Sequence, residues 1–331
     1  MDKLISEINK SKINYSLNVD LKRFTYLGTG GNAGLIIYPK NTAEMVLVIR
    51  ALKSMKILFK VVGATSNLLF LDETRYNCLL STKDLNDFEY LESSGEIIAG
   101  SGLMLPHLSR IALFNSITGF EGLEGIPGTI GGAVFMNAGA YGYEISEILK
   151  EVEAVDFNGN VINFSINDLR LEKRNSALRR GEISAVITKV TFNAKKGNAS
   201  SIENKMEIFH SKRHKYQDFQ FPNLGSMFSG SVYRALGDND RYTYLMSSLF
   251  YLLNYKFKVF RRESPINRKW MNDIIVRRFK LKYHIQPFSN KTINCLVNRG
   301  QGTSEMVRYI EEITDLTNNS VPLENEIVDG F

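Results

Sequence analysis

The feature that most constrains the fold of this 331-residue chain is a glycine cluster between Gly122 and Gly142, with seven glycines in 21 residues. Glycine loses more backbone entropy on folding than other residues and costs about 0.5–1 kcal/mol relative to alanine inside regular structure. So many glycines in one segment indicate a close approach of the backbone to another group. A pyrophosphate lying against backbone N–H groups is the physical candidate, with Thr129 and Asn137 as orienting side chains.

A second loop of small residues follows a short apolar strand predicted at residues 58–62. It runs from Gly63 to Leu68, and its backbone N–H groups and the side chains of Thr65, Ser66 and Asn67 could bind an anion. A tight turn between strands would use similar residues, and taken alone the loop favours that interpretation. The chain has neither the glycine pattern of a Rossmann unit nor that of a P-loop. A nucleotide would therefore be bound by another kind of fold.

Composition indicates an ordinary globular chain, with 44% apolar and 23% charged residues and enough length for two or three domains. The two cysteines, Cys78 and Cys295, have no CxxC spacing, which argues against a disulfide scaffold or a thiolate metal site and favours the cytoplasm. The N-terminal residues lack the apolar core of a signal peptide. The most apolar stretch, Tyr244 to Leu253, predicts a buried helix and not a membrane span. No metal-ligand spacing connects the histidines, which are His107, His210, His214 and His284.

The net charge of +6 suits a polyanionic partner, whether nucleic acid, a phospholipid surface or a phosphate-bearing small molecule. Ten basic residues lie between Lys256 and Lys282, against only Glu263 and Asp273. Aromatic residues such as Trp270 interleave with these charges, as stacking platforms for single-stranded nucleic acid would require. A solvated basic face is the simpler interpretation, and both stay open at this point.

Apolar periodicity and turn residues divide the chain into three units, at residues 1–85, 86–200 and 201–331. Helices are predicted at residues 42–53, 105–114, 242–253, 267–279 and 304–316, and a further helical segment begins at residue 202. Strands are predicted at residues 58–62, 68–70, 78–81, 152–162, 187–192 and 294–297. For the helix at 42–53, Asn41 or Thr42 is the candidate N-cap.

The glycine cluster carries a family resemblance. GIPGTIGGAVFMNAGAYG, residues 125–142, resembles the signature of the MurB family, the UDP-N-acetylenolpyruvoylglucosamine reductases. VGATSNLLF resembles that family's first flavin loop, and TGGNA near residue 30 resembles its N-terminal element. The resemblance extends over almost the whole chain. It implies an α+β protein with a PCMH-type (VAO-like) FAD-binding fold of two subdomains, followed by an α+β substrate-binding domain with an insertion near residues 231–267.

The resemblance also implies FAD as the cofactor. Neither loop contains a histidine or cysteine to which flavin could be attached, so non-covalent binding is expected. The residues expected to contact FAD are Gly63, Ala64, Thr65, Ser66, Asn67, Leu68, Gly125, Ile126, Pro127, Gly128, Thr129, Gly132, Asn137, Ala138, Gly139 and Arg213.

The activity that the resemblance implies is the reduction of UDP-N-acetylglucosamine-enolpyruvate to UDP-N-acetylmuramate with NADPH, in peptidoglycan precursor synthesis. Adding hydride to this electron-rich double bond requires a cation, an acid and a proton donor. The segment at residues 171–176 resembles the family's Tyr-Arg-x-Ser element and assigns the cation to Arg174. Residues 222–228 resemble its Gly-Ser-x-Phe element and assign the proton donor to Ser226. Residues 323–327 resemble its Leu-x-x-Glu element and assign the acid to Glu326, whose pKa would have to be raised by desolvation against the flavin.

Three positions depart from the family pattern, all on the substrate side. Lys173 replaces a tyrosine, Tyr216 replaces a lysine, and Ser229 begins the stretch that replaces Lys-Asn-Pro. Two alternatives to the reductase hypothesis therefore stay open. One is a related flavoenzyme that reduces a different substrate, and the other is a non-catalytic protein that binds flavin or nucleic acid. The expected partners are a UDP-sugar and NADPH, without nucleic acid or membrane.

Overall fold

A computed structural model describes residues 1–257 and 269–331 of the chain. The first 85 residues contain a four-stranded sheet in the order β1-β2-β5-β3, in which β1 is antiparallel to β2 and the other pairs are parallel. The elements are α1 (Asp2–Lys10), β1 (Asn14–Asp20), α2 (Leu21–Phe24), β2 (Asn32–Tyr38), α3 (Thr42–Ser54), β3 (Lys60–Val62), β4 (Leu68–Phe70) and β5 (Arg75–Ser81). The prediction for α3 is confirmed, because the side chain of Asn41 accepts a hydrogen bond from the N–H of Glu44 at 2.9 Å.

The middle of the chain forms an antiparallel five-stranded sheet in the order β12-β11-β13-β7-β6. Its elements are β6 (Phe88–Leu91), β7 (Glu96–Gly100), α4 (Leu105–Phe114), β8 (Ile117–Thr118), α5 (Ile130–Phe135), β9 (Gly139–Ala140), β10 (Tyr143–Glu144), β11 (Leu149–Asp156), β12 (Val161–Ser165), α6 (Ile166–Leu169), β13 (Ala185–Asn193) and β14 (Lys195–Lys196). Helix α4 has the bounds that the apolar spacing predicts. The strand predicted at residues 152–162 is instead a hairpin, because residues 156–160 turn between β11 and β12.

The last third of the chain is mostly helical and holds one short two-stranded sheet, β15 with β16. Its elements are α7 (Ala199–Tyr216), β15 (Asn223–Ser226), α8 (Val232–Asn239), α9 (Arg241–Tyr251), a π-helical turn (Leu252–Lys256), α10 (Lys269–Phe279), β16 (Cys295–Val297), α11 (Thr303–Leu316) and β17 (Glu326–Val328). Strand β17 pairs in parallel with β4, so the end of the chain returns to its first unit.

Buried apolar residues form separate clusters that largely follow these three parts of the chain. One lies within residues 97–192, a second joins residues 224–321 with Leu27 and Leu69, and two more lie mainly within residues 4–85. These clusters support the boundaries near residues 85 and 200, which we retain as a proposal.

Helix α9 falls where the sequence predicts a helix, but the expected burial is wrong. Among its residues only Thr243 is buried. The large side chains exposed on it are Tyr242, Tyr244, Leu245, Met246, Leu249 and Tyr251. A local run of apolar residues is compatible with burial but does not specify which neighbours pack against it. In the described ranges, no helix combines the length and hydropathy needed to cross a bilayer.

Asp72 connects the first unit to α11 and thereby helps to position the C-terminal part. Its carboxylate accepts the N–H of Gly30 at 3.0 Å and the N–H of Thr303 at 3.0 Å, and its own N–H donates to the Thr303 hydroxyl at 2.9 Å. Helix α11 follows Gly302, which has no side chain to cap it. Asp72 therefore caps this helix from a distant part of the sequence.

We expect Asp72→Ala to destabilise the protein by about 1–3 kcal/mol, because two N–H groups lose their acceptor. Urea unfolding followed by circular dichroism measures the change. Asp238→Ala is the control, since that carboxylate is 68% exposed and lies 3.7 Å from Arg234; its effect should stay within about 0.5 kcal/mol. Equal unfolding midpoints for the two variants would contradict the capping role.

Candidate functional site

The two small-residue loops predicted from the sequence lie directly against each other. The hydroxyl of Ser66 donates to the carbonyl of Pro127 at 2.7 Å. A Cβ atom on Gly63 would overlap the side chain of Thr129, so glycine is required there for the loops to meet. Thr65 has a left-handed backbone with φ of +58° and accepts the N–H of Tyr26 at 2.8 Å. The sequence left two interpretations of residues 63–68, a tight turn or a loop that binds an anion. The structure shows a tight turn, and this turn is compatible with anion binding by the same residues.

Most glycines of the cluster have a reason inside the protein itself. A Cβ atom would meet neighbouring atoms at Gly122, Gly131 and Gly139, and the backbone has positive φ at Gly125, Gly128 and Gly142. Gly132 is the exception: it lies in helix α5 without a positive φ, and the nearest atom to an added Cβ, Thr129 Oγ1, would be 3.6 Å away. From the sequence, a bound ligand is the explanation for all seven glycines of the cluster. In the structure, that explanation is needed only for Gly132.

Asn137 is not free to orient a pyrophosphate in this structure. Its side-chain amide donates to Glu144 and to the carbonyl of Glu172, each at 3.0 Å, and accepts the N–H of Ser146 at 3.1 Å. Both of its N–H groups are engaged, so Asn137 ties the glycine cluster to the segment that carries Arg174.

Arg213 is a buried cation beside the glycine cluster. Its side chain is 5% exposed, lies against Gly125 and donates to the carbonyl of Gly122 at 3.2 Å. Its Nε has no partner among the described residues. Burial lowers the pKa of Arg213, and the charge of Arg174 lowers it further. A buried guanidinium with an unused donor fits a bound anion, since an uncompensated buried charge is costly.

The segment at residues 323–326 lies between the first small-residue loop and the end of β15. Asn67 accepts the N–H of Glu326 at 3.0 Å, and its amide donates to the carbonyl of Glu324 at 3.0 Å. The N–H of Glu324 donates to the carbonyl of Met227 at 2.6 Å, and Asn325 donates to Asn67 at 2.7 Å. The 323–326 segment is therefore hydrogen-bonded to two segments that are each more than 90 residues away in sequence, one at Asn67 and one at Met227.

Arg174 is paired with Glu324, two residues before the glutamate that the family pattern selects. Nε of Arg174 lies 2.9 Å from Oε1 of Glu324, whose side chain is 15% exposed. Burial raises the pKa of Glu324, although Arg174, Arg179 and Lys173 act in the opposite direction. The sequence pattern does contain this second glutamate, but its burial is not readable from it.

Glu326, the acid expected from the sequence, is paired with a residue of the first unit. Its side chain is 47% exposed and is paired with Lys60. In the described ranges it makes no hydrogen bond or ion pair with Arg174. The backbone of Glu326 lies in the site through Asn67, but the contact with Arg174 belongs to Glu324.

Ser226 ends β15, opposite Cys295, and is exposed. Its hydroxyl makes no hydrogen bond within the described ranges, so it is available to a ligand.

Three residues depart from the family pattern. Of these, Lys173 and Tyr216 are exposed, and the N–H of Ser229 donates to the carbonyl of Pro322 at 3.0 Å. The basic 256–282 segment is described in part: α10 carries Lys269, Arg277 and Arg278, while residues 258–268 lie outside the described ranges.

Comparison with known proteins agrees with these features. Residues 33–165 match the family model described as "FAD binding domain". A UDP-N-acetylenolpyruvoylglucosamine reductase of Caldanaerobacter subterraneus subsp. tengcongensis is 32% identical over 69% of this chain and 74% of its own length. The reductase of Carboxydothermus hydrogenoformans is 36% identical over 64% of this chain and 69% of its own length. The reductase of Staphylococcus aureus is 35% identical over 65% and 69%.

A crystal structure of UDP-N-acetylenolpyruvylglucosamine reductase from Thermus caldophilus superposes with a TM-score of 0.68, at 22% identity, over 95% of this chain and 98% of its own. With the matched FAD-binding domain, this confirms the predicted α+β fold of the PCMH type. The sequence identities to the curated reductases, over more than two thirds of their lengths, confirm the family. This chain belongs to the UDP-N-acetylenolpyruvoylglucosamine reductases.

Proposed function

We propose that this protein is an FAD-dependent reductase that converts UDP-N-acetylglucosamine-enolpyruvate to UDP-N-acetylmuramate with NADPH, in the cytoplasm. The observation that carries the proposal is the junction at Asn67. There, hydrogen bonds join the first small-residue loop to the 323–326 segment, and that segment is in turn hydrogen-bonded to Met227, the neighbour of Ser226. Glu324 of the same segment is paired with Arg174. All three residues assigned to catalysis therefore lie on segments that meet beside the two glycine loops.

The residues of the two loops fit FAD. Gly132 leaves an open face on helix α5, and Arg213 is a buried cation with an unpartnered Nε; together they suit a ligand that brings a pyrophosphate against backbone. Residues 63–68 and 125–139 would hold the cofactor between them. When bound, FAD would supply the hydride-transfer chemistry of the reaction, with NADPH as the source of the hydride.

The side chains of the site then have separate tasks. Arg174 binds the carboxylate of the enolpyruvyl group and stabilises the negative charge that develops on it during hydride addition. Ser226 donates the proton that the α-carbon requires. Glu326 acts as the acid beside the carboxylate. For that task its carboxyl must leave Lys60, with which it is paired in this structure.

A second candidate is a reductase of this family that acts on a different substrate. Lys173 places a cation within range of Glu324 where the family has a tyrosine, and Tyr216 replaces a lysine. These changes lie on the substrate side and leave the flavin loops unaltered.

One anaerobic experiment distinguishes between the two candidate functions. The protein is reduced with NADPH and then mixed with UDP-N-acetylglucosamine-enolpyruvate while flavin absorbance is recorded. We expect rapid reoxidation, and none with UDP-N-acetylglucosamine, which lacks the double bond. Reduction by NADPH without reoxidation by the enolpyruvyl sugar would favour the second candidate. A protein that does not bind FAD would contradict both.

Gly132→Ala tests whether FAD approaches the open face of helix α5. Alanine has room in the ligand-free protein, so we expect the apoprotein to gain about 0.4–1 kcal/mol of stability. The same methyl group should obstruct the cofactor and weaken FAD binding by about tenfold or more. Fluorescence titration of the apoprotein with FAD measures the affinity.

Gly237→Ala is the matched control for Gly132→Ala. Gly237 also lies in a helix, α8, without a positive φ, and an added Cβ would be in ordinary contact with Tyr244 at 3.4 Å. This variant should keep the FAD affinity of the wild type. If Gly132→Ala also keeps that affinity, FAD does not lie against this face.

Ser226→Ala tests the proton donor. FAD content and flavin reduction by NADPH should be unchanged, because neither step needs a proton at the α-carbon. Reoxidation by the enolpyruvyl sugar should slow by about 10² or more, as expected when a positioned general acid is lost. Stopped-flow measurement of both half-reactions, with Ser229→Ala in parallel, decides the assignment. Reoxidation of Ser226→Ala at the wild-type rate would show that another group donates the proton.

A further inference from the structure

Arg174 has an unusual backbone and is held at both ends. Its φ is +57°, in the left-handed region that residues with side chains rarely adopt. Its carbonyl accepts a hydrogen bond from Nη1 of Arg179 at 2.6 Å, and its Nε lies 2.9 Å from Oε1 of Glu324. The other terminal nitrogen of Arg179 donates to the carbonyl of Glu324 at 3.1 Å. Arg179 thus connects the two residues of the ion pair through their backbones.

Glu324 is itself fixed in place by contacts on both sides of its peptide. Its N–H donates to Met227 and its carbonyl accepts from Asn67 as well as from Arg179. Its carboxyl is largely buried against Arg174. A carboxylate held in this way restricts the rotation of the guanidinium that it binds, because the long arginine side chain would otherwise sample many rotamers.

The geometry of the pair leaves part of the guanidinium for another anion. Glu324 binds at Nε, and Arg174 donates no hydrogen bond to any other residue of the described ranges. A guanidinium carries more N–H donors than one carboxylate oxygen uses, and its planar fork matches a second carboxylate. Arg213 lies close enough for its pKa to be lowered by Arg174, so an incoming anion would be attracted by both cations.

We propose that Glu324 is a positioning residue that fixes the guanidinium of Arg174 for the substrate carboxylate, with Arg179 holding the two backbones together. The proposal rests on the proposed function, since it assigns the ligand of Arg174 to the enolpyruvyl carboxylate. It gives the C-terminal segment two carboxyls with different tasks: Glu324 acts through Arg174, and Glu326, once released from Lys60, serves as the acid of the proposed function.

The test uses Glu324→Met, which keeps side-chain length but removes the acceptor, and Glu324→Gln, which retains an oxygen for Nε. Glu324→Met should raise the Kd of the enolpyruvyl sugar for the oxidised holoenzyme by about tenfold and slow reoxidation of the reduced flavin by about tenfold or more. FAD content and reduction by NADPH should be unchanged. Glu324→Gln should recover most of both losses. Substrate affinity is read without turnover, from the shift in flavin absorbance on titration.

The decisive comparison repeats Glu324→Met in an Arg174→Lys background. Because Glu324 acts through Arg174, the substitution should change substrate affinity and the reoxidation rate by less than about twofold in this background. If the two residues acted independently, the losses of the two single variants would multiply. Glu182→Met is the control: Glu182 is paired with Arg180 at 2.7 Å in an ion pair outside the junction, and its loss should alter neither half-reaction.

The outcomes separate this inference from the proposed function. A wild-type protein that the enolpyruvyl sugar does not reoxidise would overturn the proposed function and this inference with it. If the wild-type protein turns over, two results would overturn only the positioning role. In one, Glu324→Met has the substrate affinity and reoxidation rate of the wild type; in the other, Glu324→Met loses as much in the Arg174→Lys background as it does with Arg174 present. Loss of FAD content in Glu324→Met and in Glu324→Gln would indicate a general structural role instead.

Discussion

Asn67 joins parts of the chain that no local interaction could bring together. Its side chain and carbonyl bind the backbone of Glu324 and Glu326 and the side chain of Asn325. The loop that carries it also contacts the glycine cluster through Ser66 and Pro127. The junction fixes where the C-terminal segment lies relative to both loops, and β17 extends it by pairing with β4. The site therefore depends on the return of the chain to its first unit.

The glycine cluster shows how a functional motif can also be a packing requirement. At Gly122 and Gly139 a side chain would overlap the protein itself, at Gly131 it would crowd Ser101, and three further glycines adopt backbones that favour this residue. The cluster must first fold tightly before it can present backbone to a ligand. Only Gly132 lacks such an internal reason. The entropic cost of the remaining glycines is offset by close packing of the loops, which gives the cofactor a rigid surface.

The charged groups of the site are arranged by burial more than by sequence order. Arg174, Arg213 and Glu324 are drawn from three segments of the chain. Burial lowers the pKa of Arg213 and raises that of Glu324, and the charge of Arg174 acts to lower both. Glu326, the acid expected from the sequence, is half exposed in this structure and paired with Lys60. Two glutamates separated by one residue differ because one side chain is largely buried against the guanidinium of Arg174, whereas the other meets a lysine at the edge of the sheet.

The sequence by itself determined the elements whose signals are local. Helices α3 and α4 follow apolar spacing and end signals, and the glycine signature, which is a continuous run of residues, identified the family and its FAD-binding fold. Residues Arg174 and Ser226 were also found by their short motifs, although their roles remain predictions. The tertiary structure alone decided that Glu324 pairs with Arg174, that Asn137 is used internally, and that helix α9 is exposed. Burial and pairing depend on which distant segments pack together, and a linear pattern records the residue types but not those neighbours.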